Sequence, residues 1–248
     1  MAKRRPQGKR QASRRRRPPR RPTNPFDIMV RDFASYADDD DPALVELEAA
    51  ELLVEPADGE LDVSDAILRV LIPDMLLRPG RGALTLLLAI SHLFDGPAGR
   101  AARLAAAGMI AEGIECPAWT DEFELEVTAE NCVRIGDDRG IISLLGADFH
   151  RGERGHSVVI AINHLDDRAE RVVVLPESGL LPAVMEELLS SAPTEMVREE
   201  ISSAAFRRLV QEALDGPLPL VDDANGDEGQ SDAAGALVLR AWLRKLSD

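Results

Sequence analysis

Ile141-Ile142-Ser143-Leu144-Leu145-Gly146-Ala147-Asp148-Phe149, His156-Ser157-Val158-Val159-Ile160-Ala161-Ile162-Asn163-His164 and Arg171-Val172-Val173-Val174-Leu175 follow one another with only residues 150–155 and 165–170 between them. Each run is rich in β-branched and apolar side chains, and each break is polar or Gly-bearing. Such runs and breaks read as an antiparallel β meander. The sequence on both sides has helical periodicity instead. The expected fold class is α+β: a small antiparallel meander of four or five strands, packed by helices from both sides of the sequence.

Working toward the N-terminus, residues 25–115 form the helical half. Residues 26–33 are a short amphipathic piece. Asp41 before Pro42 marks a helix start, with acid near the N-terminal dipole and Pro at the first helical position. Leu44, Leu47 and Ala50 follow at helical spacing. Leu68, Leu71, Ile72, Met75 and Leu76 make a 3.6-residue stripe capped by Ser64 or Asp65, and Pro73 is expected to kink or split it. Residues 78–82 hold two Gly and two Arg but lack the Gly-Lys-Ser/Thr ending of a P-loop, so they read as a helix–helix connection. Residues 83–94 are apolar nearly all round, which predicts a buried helix with His92 as a structural residue. An Ala-rich helix follows over 98–111.

The sheet is assigned to residues 116–176. Trp119 and Phe123 are expected to anchor the helices on it. Phe123-Glu124-Leu125-Glu126-Val127 alternates strictly and predicts a strand, which residues 131–135 extend or follow. Residues 177–216 hold packing helices, one over 180–191 and a second opened by Pro193 and Thr194 and carrying Val197, Ile201, Ala204 and Leu209. Residues 217–235 read as an acidic linker. Residues 236–248 form an amphipathic C-terminal helix with Leu239, Trp242, Leu243 and Leu246 on one face. That face is expected to return to its own core, meet a second copy, or bind a partner protein in a groove.

Charge is divided unevenly. Residues 1–22 hold eleven of the 29 Lys and Arg and no acid, leaving eighteen cations against 44 carboxylates in the rest. The first 24 residues have almost nothing to bury and predict a disordered tail. Its arginines, Arg14, Arg15, Arg16, Arg17, Arg20 and Arg21 above all, are candidate nucleic-acid contacts, because clustered guanidinium groups displace counterions from phosphates. The same charges equally permit the tail to fold back on its acidic body. No aromatics interleave with them, which excludes base stacking in the tail. Cys116 and Cys132 form no C-x-x-C pair or disulfide framework and read as reduced thiols. No apolar stretch is long enough to span a bilayer, so a cytoplasmic protein with no membrane partner is expected.

The polar turns of the meander hold the candidate chemistry. His150 and His156 flank a five-residue turn and could face each other there with Asp148 nearby. His164 with Asp166 sits at a strand end, where sites often lie. These four residues, His150, His156, His164 and Asp166, are the candidate polar site for a metal or an acid–base pair. The ligand spacing is loose, Gly-x-Ser-x-Gly is absent, and neither cysteine has a histidine near it in sequence. No catalytic residue, metal or cofactor is therefore assigned.

Residues 158–162, Asn163-His164-Leu165-Asp166 and residues 172–175 resemble the layout of a family of uncharacterised actinobacterial α+β proteins. That family has a basic start, a helical first half, a mid-chain Trp and a meander ending in a His-containing turn. The resemblance covers residues 25–215. Asn163 and Leu165 stand where the family has acidic and amide residues, which leaves His164. It implies an α+β domain and a bacterial cytoplasm, and no activity. The expectation for function is a non-catalytic interaction or regulatory protein contacting nucleic acid through its Arg-rich arm. The alternative is a metal-dependent or hydrolase-like enzyme at the meander turns.

Overall fold

The computed structural model describes residues 24–38, 41–54, 62–166, 168–191, 196–215 and 231–247. The Arg-rich segment and most of the acidic linker lie outside them.

Helix α1 (Pro25–Tyr36) starts at an Asn24 cap, and α2 (Pro42–Val54) follows an Asp41 whose carboxylate accepts from the Ala43 amide at 3.0 Å. Next, α3 (Val63–Ala66) runs through a π-helical turn, Ile67–Leu71, into α4 (Ile72–Leu76). Pro73 accounts for this. It has no N–H to donate and its ring crowds the preceding turn, and the wider π turn relieves the conflict, dividing the helical stripe in agreement with the expected kink or split. The Ile72 amide there reaches back five residues to the Ile67 carbonyl. Helices α5 (Arg81–Leu93) and α6 (Gly96–Ala111) complete the first half. As its all-round apolarity predicts, α5 is central, with Ala83, Leu84, Leu86, Leu87 and Ile90 fully buried among α1, α2 and α6.

A 3-10 turn, Thr120–Glu124, takes Phe123 and Glu124 out of the strand expected over 123–127, which begins only at Val127. Both aromatics of this stretch must face the helices. A helical turn places Trp119 and Phe123 on one side, with ring centroids 5.1 Å apart, whereas a strand does so only by exposing the residues between. Trp119 also donates to the Tyr36 carbonyl at 3.2 Å.

The sheet is fully antiparallel, in the order β4-β3-β2-β1-β5. Strands β1 (Val127–Asp137), β2 (Ile142–Arg151), β3 (Arg154–Asn163) and β4 (Arg168–Leu175) are the meander. The β2–β3 turn has two residues rather than five, with Gly152 in the left-handed region at φ 61°. β1 carries a bulge: Asn131 and Cys132 together oppose Ala147. After α7 (Leu181–Ser191), β5 (Met196–Glu200) adds to β1 where a helix had been expected, and α8 (Ser203–Leu214) begins only after the Ser202 cap. The second half of β1 would otherwise present a row of unpaired backbone groups. Pairing that edge outweighs the local helical spacing.

The two faces differ. On one, Leu145, Ala147, Phe149, Val158, Ile160, Val172 and Val174 join the helices in a single cluster that runs from Phe33 to Leu246. On the other, Val133, Ile135 and Val159 pack under α7 through Leu181 and Met185.

Helix α9 (Asp232–Lys245) lies between the sheet and the helical half, against α2, α5 and β4. Leu239, Trp242, Leu243 and Leu246, the candidate partner-binding face, are 0%, 2%, 2% and 6% exposed in the chain's own core. Of the three destinations open to this face the structure shows the first, and the partner-binding assignment of these four residues is corrected: they serve internal packing. Asp232 in the first turn accepts the Val172 amide of the edge strand at 3.0 Å. At the far end Leu246 forms a parallel bridge to Val127, and the Ser247 amide donates to the Val127 carbonyl at 3.0 Å.

Candidate functional site

The histidines expected to share a site point to three different places. His150 pairs with Gly155 and His156 with Phe149 across the tight turn. Successive residues of a strand alternate in face, so the two rings lie on opposite sides of the sheet. His156 faces the helices, its Nε2 3.3 Å from Asp41 Oδ1 and its ring 5.6 Å from that of Trp242. His150 lies on the α7 side, beside Ser178, where a side chain at Gly155 would collide with both. His164 sits beyond the end of β3, and Asp166 pairs at the surface with Arg168 at 3.8 Å. Among the described residues no group of three His, Cys, Asp or Glu is placed to hold a metal ion.

Three constellations not evident in the sequence take their place. The first is a buried ion cluster. Glu46 on α2 is fully buried, and Arg151 of β2 approaches it with a two-pronged guanidinium, both N–O distances 3.2 Å. Trp242 Nε1 donates to Oε2 at 2.9 Å, and His92 Nδ1 contacts Oε1. The Arg151 guanidinium also stands over the rings of Phe123 and Trp242, at 5.5 and 5.8 Å, while His92 stacks on Phe123. Burial pushes the Glu46 carboxyl up, but Arg151 and His92 more than offset it and hold the pKa at about 2. At Asp41 burial also pushes the pKa up, and His156 with the Ala43 amide brings it below the usual value. The adjoining cavity holds about 10 Å³, room for roughly one water, and admits no substrate.

The second is a polar ladder across the helix-facing side of the sheet. Glu199 of β5 accepts from Arg134 of β1 at 3.3 Å, and Arg134 Nε donates to Ser143 Oγ of β2 at 3.3 Å. Ser143 Oγ in turn lies 2.6 Å from His164 Nε2. Ser143 is 1% exposed. A hydroxyl held between a guanidinium and an imidazole has its proton directed to the ring, which is the arrangement of a serine beside a general base. His164 also lines a cavity of about 360 Å³ under α8, with Ile162, Leu209, Glu212 and Ala213.

The third lies on the other face. Asp148 is 2% exposed and accepts from Asn131 Nδ2 at 2.8 Å, Ser157 Oγ at 2.5 Å and the Gly179 amide at 3.2 Å. Asn131, at the β1 bulge, has φ 52°, the left-handed region that Asn tolerates better than other side chains. Burial, with the Asp148 charge behind it, pushes the neighbouring Cys132 thiol up to about 11. That cysteine is therefore a neutral thiol, not a nucleophilic thiolate. Both cysteines are free.

Arg14, Arg15, Arg16, Arg17, Arg20 and Arg21 lie outside the described residues. Of the residues missed from sequence, Glu46 had no distinguishing signal beside Glu48 and Glu51 in the same helix, and Ser143 was one polar residue inside an apolar run. Among the described residues no helix is long and apolar enough to cross a membrane. Compared with known protein families, curated proteins and solved structures, the chain matches none.

Proposed function

We propose that this is a non-catalytic interaction protein of a bacterial cytoplasm, which engages nucleic acid through residues 1–22. One observation carries the reading: eleven cations and no acid stand ahead of a body with 44 carboxylates and eighteen cations. The arm attracts a polyphosphate, and the body repels it. A protein so divided holds nucleic acid at one end and keeps its folded surface clear for another partner. The docking of α9 supports the same assignment, because its apolar face is already occupied. Two free thiols fit a reducing compartment.

The test is fluorescence anisotropy with labelled duplex DNA and single-stranded RNA across a salt series, on the full chain and on residues 23–248. Affinity is expected to fall steeply with salt, by ~0.9 in log–log slope for each arm cation engaged on duplex DNA. It is expected to vanish on truncation. Undiminished binding by the truncated chain, or none by either, overturns the proposal.

A hydrolase-like activity is the second reading, favoured by the 2.6 Å approach of Ser143 Oγ to His164 Nε2. It requires that a serine-reactive fluorophosphonate label Ser143 and that His164→Asn abolish labelling. An unlabelled protein sinks it.

A further inference from the structure

Between the outer face of β1–β5 and helix α7 lies a cleft of about 410 Å³, within the ~300–1,000 Å³ typical of small-molecule sites. Val133, Leu181 and Met185, each at most 3% exposed, line its apolar part. Arg198 and Glu200 stand at its rim. They are two residues apart on β5, so they share a face, about 7 Å apart along the strand. The register confirms the side: Arg198 opposes Ile135 and Glu200 opposes Val133, both beneath α7. Both rim residues are exposed, and among the described residues neither makes an ion pair.

Asn131 completes the lining. Its amide nitrogen is committed to Asp148, which is itself anchored by Ser157 and by the Gly179 amide just ahead of α7. The amide oxygen is thereby left as an acceptor of fixed orientation. Met185 supplies an adaptable apolar surface, as Met does at sites that accept side chains of several shapes. A cation, an anion and a neutral acceptor around one apolar floor are the complement of a small zwitterion with an apolar body.

We propose that this cleft binds a free apolar α-amino acid. Its carboxylate meets Arg198, its ammonium meets Glu200 and the Asn131 amide oxygen, and its side chain lies on Val133, Leu181 and Met185. This is a small-ligand site separate from the Arg-rich arm, and it does not depend on nucleic-acid binding.

The experiment is isothermal titration of the full chain with L-leucine and L-methionine in the absence of nucleic acid, so that failure of the arm hypothesis leaves the result intact. Leucinamide, which lacks the carboxylate, and N-acetyl-leucine, which lacks the ammonium, are the comparison ligands. Saturable one-to-one binding of leucine is expected, weakened about tenfold or more by Arg198→Met and by Glu200→Gln, consistent with loss of one charge-assisted hydrogen bond. The preference for leucine over leucinamide should disappear in Arg198→Met, and the preference over N-acetyl-leucine in Glu200→Gln. Both positions are exposed, and the circular dichroism spectrum and melting temperature of each variant show whether its fold is intact. Absence of binding at millimolar leucine and methionine overturns the proposal, as does binding that neither substitution weakens.

Discussion

A carboxylate as deeply buried as Glu46 persists only because its charge is met on several sides, by Arg151, His92 and Trp242. Removing one member strands the others. Glu46→Leu leaves the Arg151 guanidinium buried and unpaired, and its expected cost is about 3–5 kcal/mol in urea unfolding. Glu46→Leu with Arg151→Met together should recover most of that loss, because an apolar pair of similar volume needs no counter-charge. Acid tests the same cluster. The folded pKa of Glu46 is depressed from 4.5 to about 2, so its contribution is complete above pH 4.5 and is lost as the pH falls through 2. That contribution is on the order of 3 kcal/mol. Unfolding midpoints measured from pH 6 down to 2 should fall less steeply for Glu46→Gln than for the wild type.

At the scale of elements, helix contact depends on how near two backbones come. A side chain at Gly82 of α5 would overlap the Val30 carbonyl of α1, a backbone atom that cannot swing aside as a side chain can. Gly82→Ala is therefore expected to force the two helices apart and to cost about 1–3 kcal/mol despite its better helix propensity. Melting curves check it, and an unchanged or raised midpoint would refute it.

Elements whose own periodicity decides them were legible in the sequence: the three runs of the meander, buried α5, and α7 within a residue of its start. β5 was not, because it forms in answer to an open edge on β1 rather than to its own pattern. The Thr120–Glu124 turn was obscured by a strict alternation that two aromatics overrode. Sites were less legible still. Glu46 and Arg151 are 105 residues apart, and Ser143 and His164 are 21 apart, and only the folded topology brings each pair together. The expected pairing of His150 with His156 failed on one turn: shortening it from five residues to two set the rings on opposite faces.

Across the whole molecule, α9 joins the two halves, touching α2 and α5 of the first and β1, β4 and α8 of the second. It fills the space between sheet and helices, seals the β4 edge through Asp232 and fastens Leu246 to Val127. A chain ending at residue 230 would lack Ala234, Val238 and Trp242 and would expose the apolar faces of the sheet and helices that pack around them. It is expected to show no cooperative thermal transition, whereas residues 23–248 should melt at the temperature of the full chain. Differential scanning calorimetry of the two fragments decides this.

The placement of α9 also sets a timetable for synthesis. Helices α1, α2 and α5 leave the ribosome on the order of ten seconds before the segment that fills their centre, at ~5–20 residues per second. During that interval the nascent chain holds an apolar hollow that nothing yet made can close, and chaperones are its natural occupants. A chain interrupted before Asp232 would keep that hollow open and stay a target for proteolysis.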